Sequence, residues 1–133
     1  MRMNVRSFLR KENVMAVVGV TTKPEKWGYR VYRTLRESFP RVYAVNPKYK
    51  KIVGDKCYAS LKSLPEKPDV VITVVPPEVT EDVVKSCREL GIRMVWMQPG
   101  SESKKAIEFC GRNGIECMHS ACFVVDGLKK RFV

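Results

Sequence analysis

The chain has 133 residues, 44% of them hydrophobic, and a formal charge of +11. That is enough for one domain with a full core, too little for two, and too apolar for disorder. No apolar run approaches the roughly 20 residues that span a bilayer, and residues 1–13 hold no long apolar stretch of the signal-peptide kind. The expectation is a soluble, cytoplasmic protein.

The charge favours anionic partners without identifying them. Basic clusters occur at Arg2/Arg6/Arg10/Lys11, Lys48/Lys50/Lys51 and Lys129/Lys130/Arg131. Such clusters are usually solvated surface, so nucleic acid is not the favoured partner. The five cysteines (Cys57, Cys87, Cys110, Cys117, Cys122) are odd in number and lack CxxC pairing, which suits free thiols in a reducing compartment.

Residues 4–11 put Val5, Phe8 and Leu9 on one face, which predicts a leading helix within residues 1–12, with Asn4 as its N-cap. The first strand is Val14–Val18, apolar almost throughout, as a strand buried on both faces of a parallel sheet must be. It ends in Gly19, and a polar loop runs to Gly28. Gly28 to Phe39 reads as a helix: Val31, Leu35 and Phe39 make the apolar stripe, and Pro40 stops it. The second strand is Val42–Val45, followed by Asn46-Pro47-Lys48.

Between Tyr49 and Pro68, Gly54-Asp55 is a turn and Lys56–Tyr58 a short edge strand, and Leu61 and Leu64 belong to a short helical turn. Asp69–Val75 is β-branched and is cut off by Pro76-Pro77, the pattern of a buried strand. A helix from Thr80 to Leu90 follows, capped by Thr80 and ended by Gly91. Met94–Met97 is a strand, Ser103–Asn113 a helix, and Glu116–His119 a last short strand; residues 126–133 form a tail. Strands alternating with helices imply a parallel sheet with right-handed crossovers, in one domain over residues 1–133.

In an open α/β sheet, ligands sit beyond the carboxyl ends of the strands. Four strand ends here carry non-routine residues: Gly19 to Gly28, Asn46-Pro47-Lys48, Val75-Pro76-Pro77 and Gln98-Pro99-Gly100. In the first, Thr21 and Thr22 offer hydroxyls, Lys23 and Lys26 offer charge, and Gly28 permits close backbone approach at the helix start. The second lacks the acidic residue that an NAD site places there; Lys48 suits a ribose phosphate, as in NADP or coenzyme A. Cys117 to Cys122 with His119 offers at most three metal ligands, so no metal is expected. No Ser-His-Asp set can be assembled around a single histidine, and no catalytic residue is assigned. Trp96 suits a core role, and Trp27 can face a ligand.

The series VVGVTTKPEKWGYRVYRTL, VYAVNPKY, GDKCYASLKSLP, DVVITVVPPE and VWMQPGSES resembles the stand-alone CoA-binding proteins. It is similar to the CoA-binding domain of succinyl-CoA synthetase α subunits and NDP-forming acyl-CoA synthetases, over roughly residues 12–125. The resemblance implies a three-layer Rossmann-like, doubly wound sheet of order 3-2-1-4-5-6, with Lys56–Tyr58 as the third strand. It implies that coenzyme A lies across the strand ends. Gly19, Val20, Thr21, Thr22, Lys23, Lys26, Trp27 and Gly28 would form the phosphate loop. Asn46, Pro47 and Lys48 would hold the adenosine end, Val75, Pro76 and Pro77 the nucleotide–pantetheine junction, and Gln98 and Gly100 the far side. The expected function is a non-catalytic CoA or acyl-CoA carrier, sensor or regulatory module, as a homo-oligomer or beside a partner enzyme. The alternative is an NADP-type oxidoreductase or a CoA-ligase component that needs a partner subunit.

Overall fold

The computed structural model describes residues 5–133; the expected cap at Asn4 lies outside them. A short helix α1 (Val5–Phe8) precedes β1 (Met15–Val18), α2 (Trp27–Ser38) and β2 (Val42–Val45). A small hairpin follows, β3 (Lys51–Ile52) and β4 (Asp55–Tyr58), then a 3-10 turn at Leu61–Ser63. The second half is β5 (Val70–Thr73), α3 (Pro77–Leu90), β6 (Met94–Met97), α4 (Lys104–Arg112) and β7 (Glu116–Met118), and then a π-type turn at Phe123–Gly127.

The sheet order is β3-β4-β2-β1-β5-β6-β7, parallel except for β3 against β4. This is the expected Rossmann-like α/β sheet with one strand added: β3 pairs only through Lys51–Lys56 and Ile52–Asp55, at the edge beyond β4. Its turn places Val53 at φ 52° and Gly54 at φ 81°. A two-residue strand has too short a pattern to read from sequence.

β1 is hydrogen-bonded on both sides, Met15–Val18 pairing with Val42–Val45 and with Val70–Thr73. All four of its residues are buried, because helices cover both faces. One core layer lies beneath α2 and the C-terminal segment and contains Phe8, Val31, Leu35, Trp96 and Phe123. The other lies beneath α3 and α4 and contains Ala16, Val71, Val84, Val95 and Cys110. Trp96 is 1% exposed, stands edge-on to Phe8 and Phe123, and donates its Nε1–H to Ala121 O at 2.8 Å.

Several element ends differ from expectation by a residue, and three boundaries differ for a reason visible in the structure. α3 begins at Pro77, with Pro76 as its N-cap, and not at Thr80. Proline at the first helical position has its φ preset and lacks an N–H that would be unpaired there anyway. Thr80 is therefore inside the helix, fully buried, with its hydroxyl unpartnered. β5 runs from Val70 to Thr73 rather than from Asp69 to Val75; it starts late because Asp69 turns back on β1, accepting the Val14 N–H on Oδ2 at 2.7 Å. Ser103 is the N-cap of α4, accepting from the Ala106 N–H, rather than its first residue.

Candidate functional site

The carboxyl ends of β1, β2, β5 and β6 converge on a cavity of about 860 Å³. Its floor is built by two glycines nine residues apart. Gly19 follows β1 at φ 104°, donates its N–H to Val45 O at 3.0 Å, and lies so close to Val74 that a methyl there would collide with the Val74 carbonyl. Gly28, in the first turn of α2, presses on the Gly19 carbonyl, and a methyl there would overlap it. The glycine pair lets α2 start directly above the end of β1.

Asn46 stitches the next wall. Its Nδ2 donates to Val20 O at 2.8 Å, and its Oδ1 accepts the Lys48 N–H at 2.9 Å. Both ends of the amide are thus used to join the β1 loop to the β2 turn, and Lys48 is presented outward by that turn. Tyr49 adds a hydroxyl 3.0 Å from Thr21 Oγ1. The Thr21 hydroxyl, the Thr22 contacts and the Lys23 charge pull the Tyr49 phenol below its ordinary pKa.

The opposite wall comes from β5, β6 and the C-terminal segment. Val74, Val75, Pro76 and Val79 supply apolar surface. Gln98 is 4% exposed; its Oε1 accepts the Phe123 N–H at 2.6 Å, and its Nε2 points at Cys122 Sγ at 3.3 Å. Ser101 is 2% exposed and bridges strands, its hydroxyl 2.8 Å from Thr73 Oγ1 and 3.0 Å from Thr73 O. These hydrogen bonds set the loop, and both residues border the opening.

The electrostatics are one-sided. Lys23, Lys26 and Lys48 line the cavity, and no aspartate or glutamate is among its described lining residues. None of the three lysines takes part in an ion pair among the described residues. The two helices that open on the cavity, α2 and α3, start at Lys26 and Pro76 without a side-chain cap. Helix N-termini leave their first N–H groups unpaired, and an anion satisfies them. α4, whose Ser103 and Lys104 are not among the lining residues, has its Ser103 cap.

Of the residues expected here, Gly19, Thr21, Lys23, Lys26, Trp27, Gly28, Asn46, Pro47, Lys48, Val75, Pro76, Gln98 and Gly100 line the cavity. Val20, Thr22 and Pro77 lie outside its lining. Val20 is fully buried in the core under α2 and contributes its carbonyl to Asn46; Thr22 is exposed on the loop; Pro77 is the first residue of α3. The cavity also takes in Val18, Tyr49, Val74, Val79, Pro99, Ser101 and Cys122. Tyr49, one residue past the Asn46-Pro47-Lys48 turn, was legible as a neighbour of that turn. Cys122 was not, because a fold over the top of β6 and β7 brings it there.

The family described as "CoA binding domain" matches residues 13–127. Over 119 residues the chain is 29% identical to acetate–CoA ligase [ADP-forming] I of Archaeoglobus fulgidus, covering 82% of this chain and 17% of that one. It spans between 11% and 26% of the length of the ADP-forming acetate–CoA ligases and α subunits that it matches. Among solved structures, a conserved hypothetical protein from Pyrococcus furiosus superposes with TM-score 0.77 at 38% identity, covering 84% of this chain and 96% of that one. A protein from Thermus thermophilus superposes with TM-score 0.85 at 28% identity, over 96% of this chain and 98% of its own.

Proposed function

This chain belongs to the CoA binding domain family, and from that premise we propose that its strand-end cavity holds coenzyme A or an acyl-CoA without catalysing its turnover. The carrying observation is the one-sided charge: three lysines and two uncapped helix N-termini converge where no acidic residue lines the wall. A ligand with a pyrophosphate and a third phosphate satisfies that arrangement. The volume, about 860 Å³, suits a large ligand, since small-molecule clefts run from roughly 300 to 1,000 Å³.

In this reading the Gly19–Gly28 loop and the start of α2 hold the pyrophosphate. Lys48 takes the ribose phosphate, at the position where an NAD site carries a carboxylate. Val75, Pro76 and Val79 receive the pantetheine arm, and Gln98 to Ser101 close the far side. His119, the single histidine, is not among the lining residues, and its Nδ1 lies 2.9 Å from Ser120 Oγ. That supports a carrier, sensor or regulatory module. The five free cysteines suit a reducing cytoplasm.

A second reading rests on the ligase similarity. There the domain presents CoA to a partner that performs the acyl transfer, and this chain's residues do the same holding task.

Native mass spectrometry of the purified protein should show a CoA-sized adduct. In thermal-shift titrations CoA should stabilise more than dephospho-CoA, and Lys48→Ala should remove that difference. The expected loss is about 5-fold in CoA affinity, corresponding to the ~1 kcal/mol of an exposed ion pair. Equal shifts with CoA and dephospho-CoA would sink the role of Lys48, and a larger shift with NADP would favour an oxidoreductase.

A further inference from the structure

Residues 128–133 lie beyond the family match and run along α2. The Lys130 ammonium donates to Ser38 Oγ at 2.9 Å, and the Val133 N–H donates to Thr34 Oγ1 at 2.9 Å. Thr34 and Ser38 are 0% and 7% exposed, so two buried hydroxyls on α2 have this segment as a partner. Leu128 and Phe132 pack against the same core layer as α2. These contacts tie the segment to the last turn of the helix.

At the upper end the segment reaches the cavity rim. Phe132 meets Trp27, the first residue of α2, with ring centroids 5.3 Å apart and planes at 59°. The Arg30 guanidinium completes the group, 4.7 Å from the Trp27 ring and 4.9 Å from the Phe132 ring. Trp27 lines the cavity and is 55% exposed, the largest side chain so exposed among the described residues. An indole in that setting is normally free to change rotamer. Here two contacts, one aromatic and one cationic, hold it, and Arg30 on Phe132 locks the two together.

We infer that Phe132 and Arg30 are positioning residues for the strand-end site: they fix the Trp27 indole as an aromatic wall against which the ligand packs. The inference rests on the reading that the cavity holds CoA. Its physical content is pre-organisation. A ligand that must immobilise a free side chain loses roughly 2- to 13-fold in affinity, and a wall already fixed spares that loss. Part of the site's affinity therefore resides in residues that never touch the ligand.

The test is a double-mutant cycle on the full chain. CoA affinity is measured by calorimetry for the wild type, Phe132→Ala, Trp27→Ala and the double variant. Phe132→Ala should weaken CoA roughly 2- to 13-fold in the wild-type background and have no further effect in the Trp27→Ala background. Acrylamide quenching should rise in Phe132→Ala, reporting Trp27, because Trp96 is 1% exposed and contributes a constant signal. Phe132→Tyr should restore both properties, and Phe132→Leu replaces Phe132→Ala should the latter lose stability. Equal losses in both backgrounds, or unchanged quenching, overturns the inference. Wild-type protein that binds no CoA refutes the ligand reading instead, and the quenching comparison then decides whether Phe132 fixes the indole.

Discussion

Gly28→Ala tests the architecture of the site with one methyl group. The added Cβ would overlap the Gly19 carbonyl oxygen and lie 3.1 Å from the Gly19 carbonyl carbon and 3.3 Å from Val20 Cα. All three are backbone atoms, so no side chain can swing aside. The loop that carries them is held by the Gly19 N–H on Val45 O and by Asn46 on Val20 O. Either α2 or the loop must therefore move. Overpacking of this kind costs about 1–3 kcal/mol, and the better helix propensity of alanine returns about 1 kcal/mol, leaving a net loss of up to about 2 kcal/mol. With an unfolding entropy of about 2.1 cal/mol/K per residue, 133 residues give about 0.28 kcal/mol/K, so Tm falls by up to about 7 °C. The functional effect is larger in proportion. Displacing the first turn of α2 loses a charge-assisted hydrogen bond worth about 1.5–3 kcal/mol, a roughly 10- to 150-fold weakening of CoA. Gly111→Ala is the control: it adds the same methyl to α4, where nothing lies within 4 Å, and should raise stability by about 0.5–1 kcal/mol. Calorimetry for stability and titration calorimetry for CoA read both variants. A Gly28→Ala protein as stable as the wild type and binding CoA equally well refutes the reasoning.

Two further outcomes are expected. Of the five cysteines only Cys122 is not buried, while burial pushes the Cys87 thiol up to about 12 and also raises Cys57; a thiol reagent should modify one site rapidly, Cys122→Ser should abolish that phase, and CoA at ten times its Kd should slow it about tenfold. Identical rates with and without CoA would place the ligand elsewhere. The Tyr49 phenol ionises below its ordinary pKa, chiefly through the Thr21 hydrogen bond, and ionisation adds a negative charge to a wall that, in the proposed reading, faces the CoA phosphates. CoA affinity should therefore fall with rising pH before pH ~10 is reached, and Tyr49→Phe should flatten that fall; a wild-type profile no steeper than the variant's would refute the role of Tyr49.

The sheet was legible because its strands are buried on both faces and announce themselves as apolar runs: Met15–Val18 and Val70–Thr73 stand out without any partner in view. Turn chemistry located the strand ends, and the cavity follows from where a parallel sheet leaves its loops. Less legible were features decided by the fold. Thr80 looked like a cap by residue type, but Pro77 three residues earlier had already started the helix. Asn46 and Gln98 looked like ligand groups, and the fold uses much of their hydrogen-bonding capacity to hold loops. Residues 128–133 carry no periodic signal, since their contacts with Thr34 and Ser38 cross more than 90 positions of sequence. Such pairings leave no mark on local pattern.

The double pairing of β1 also bears on how the chain is made. Its β2 neighbour ends at Val45, but its β5 neighbour is complete only at Thr73. At a synthesis rate of ~5–20 residues per second, about 1–6 s separate the two. During that interval the nascent Met15–Val18 strand presents one unpaired, apolar edge, the kind of surface that recruits other strands. Ribosome pausing after β2 has emerged from the exit tunnel and before β5 has emerged should then raise aggregation of the product.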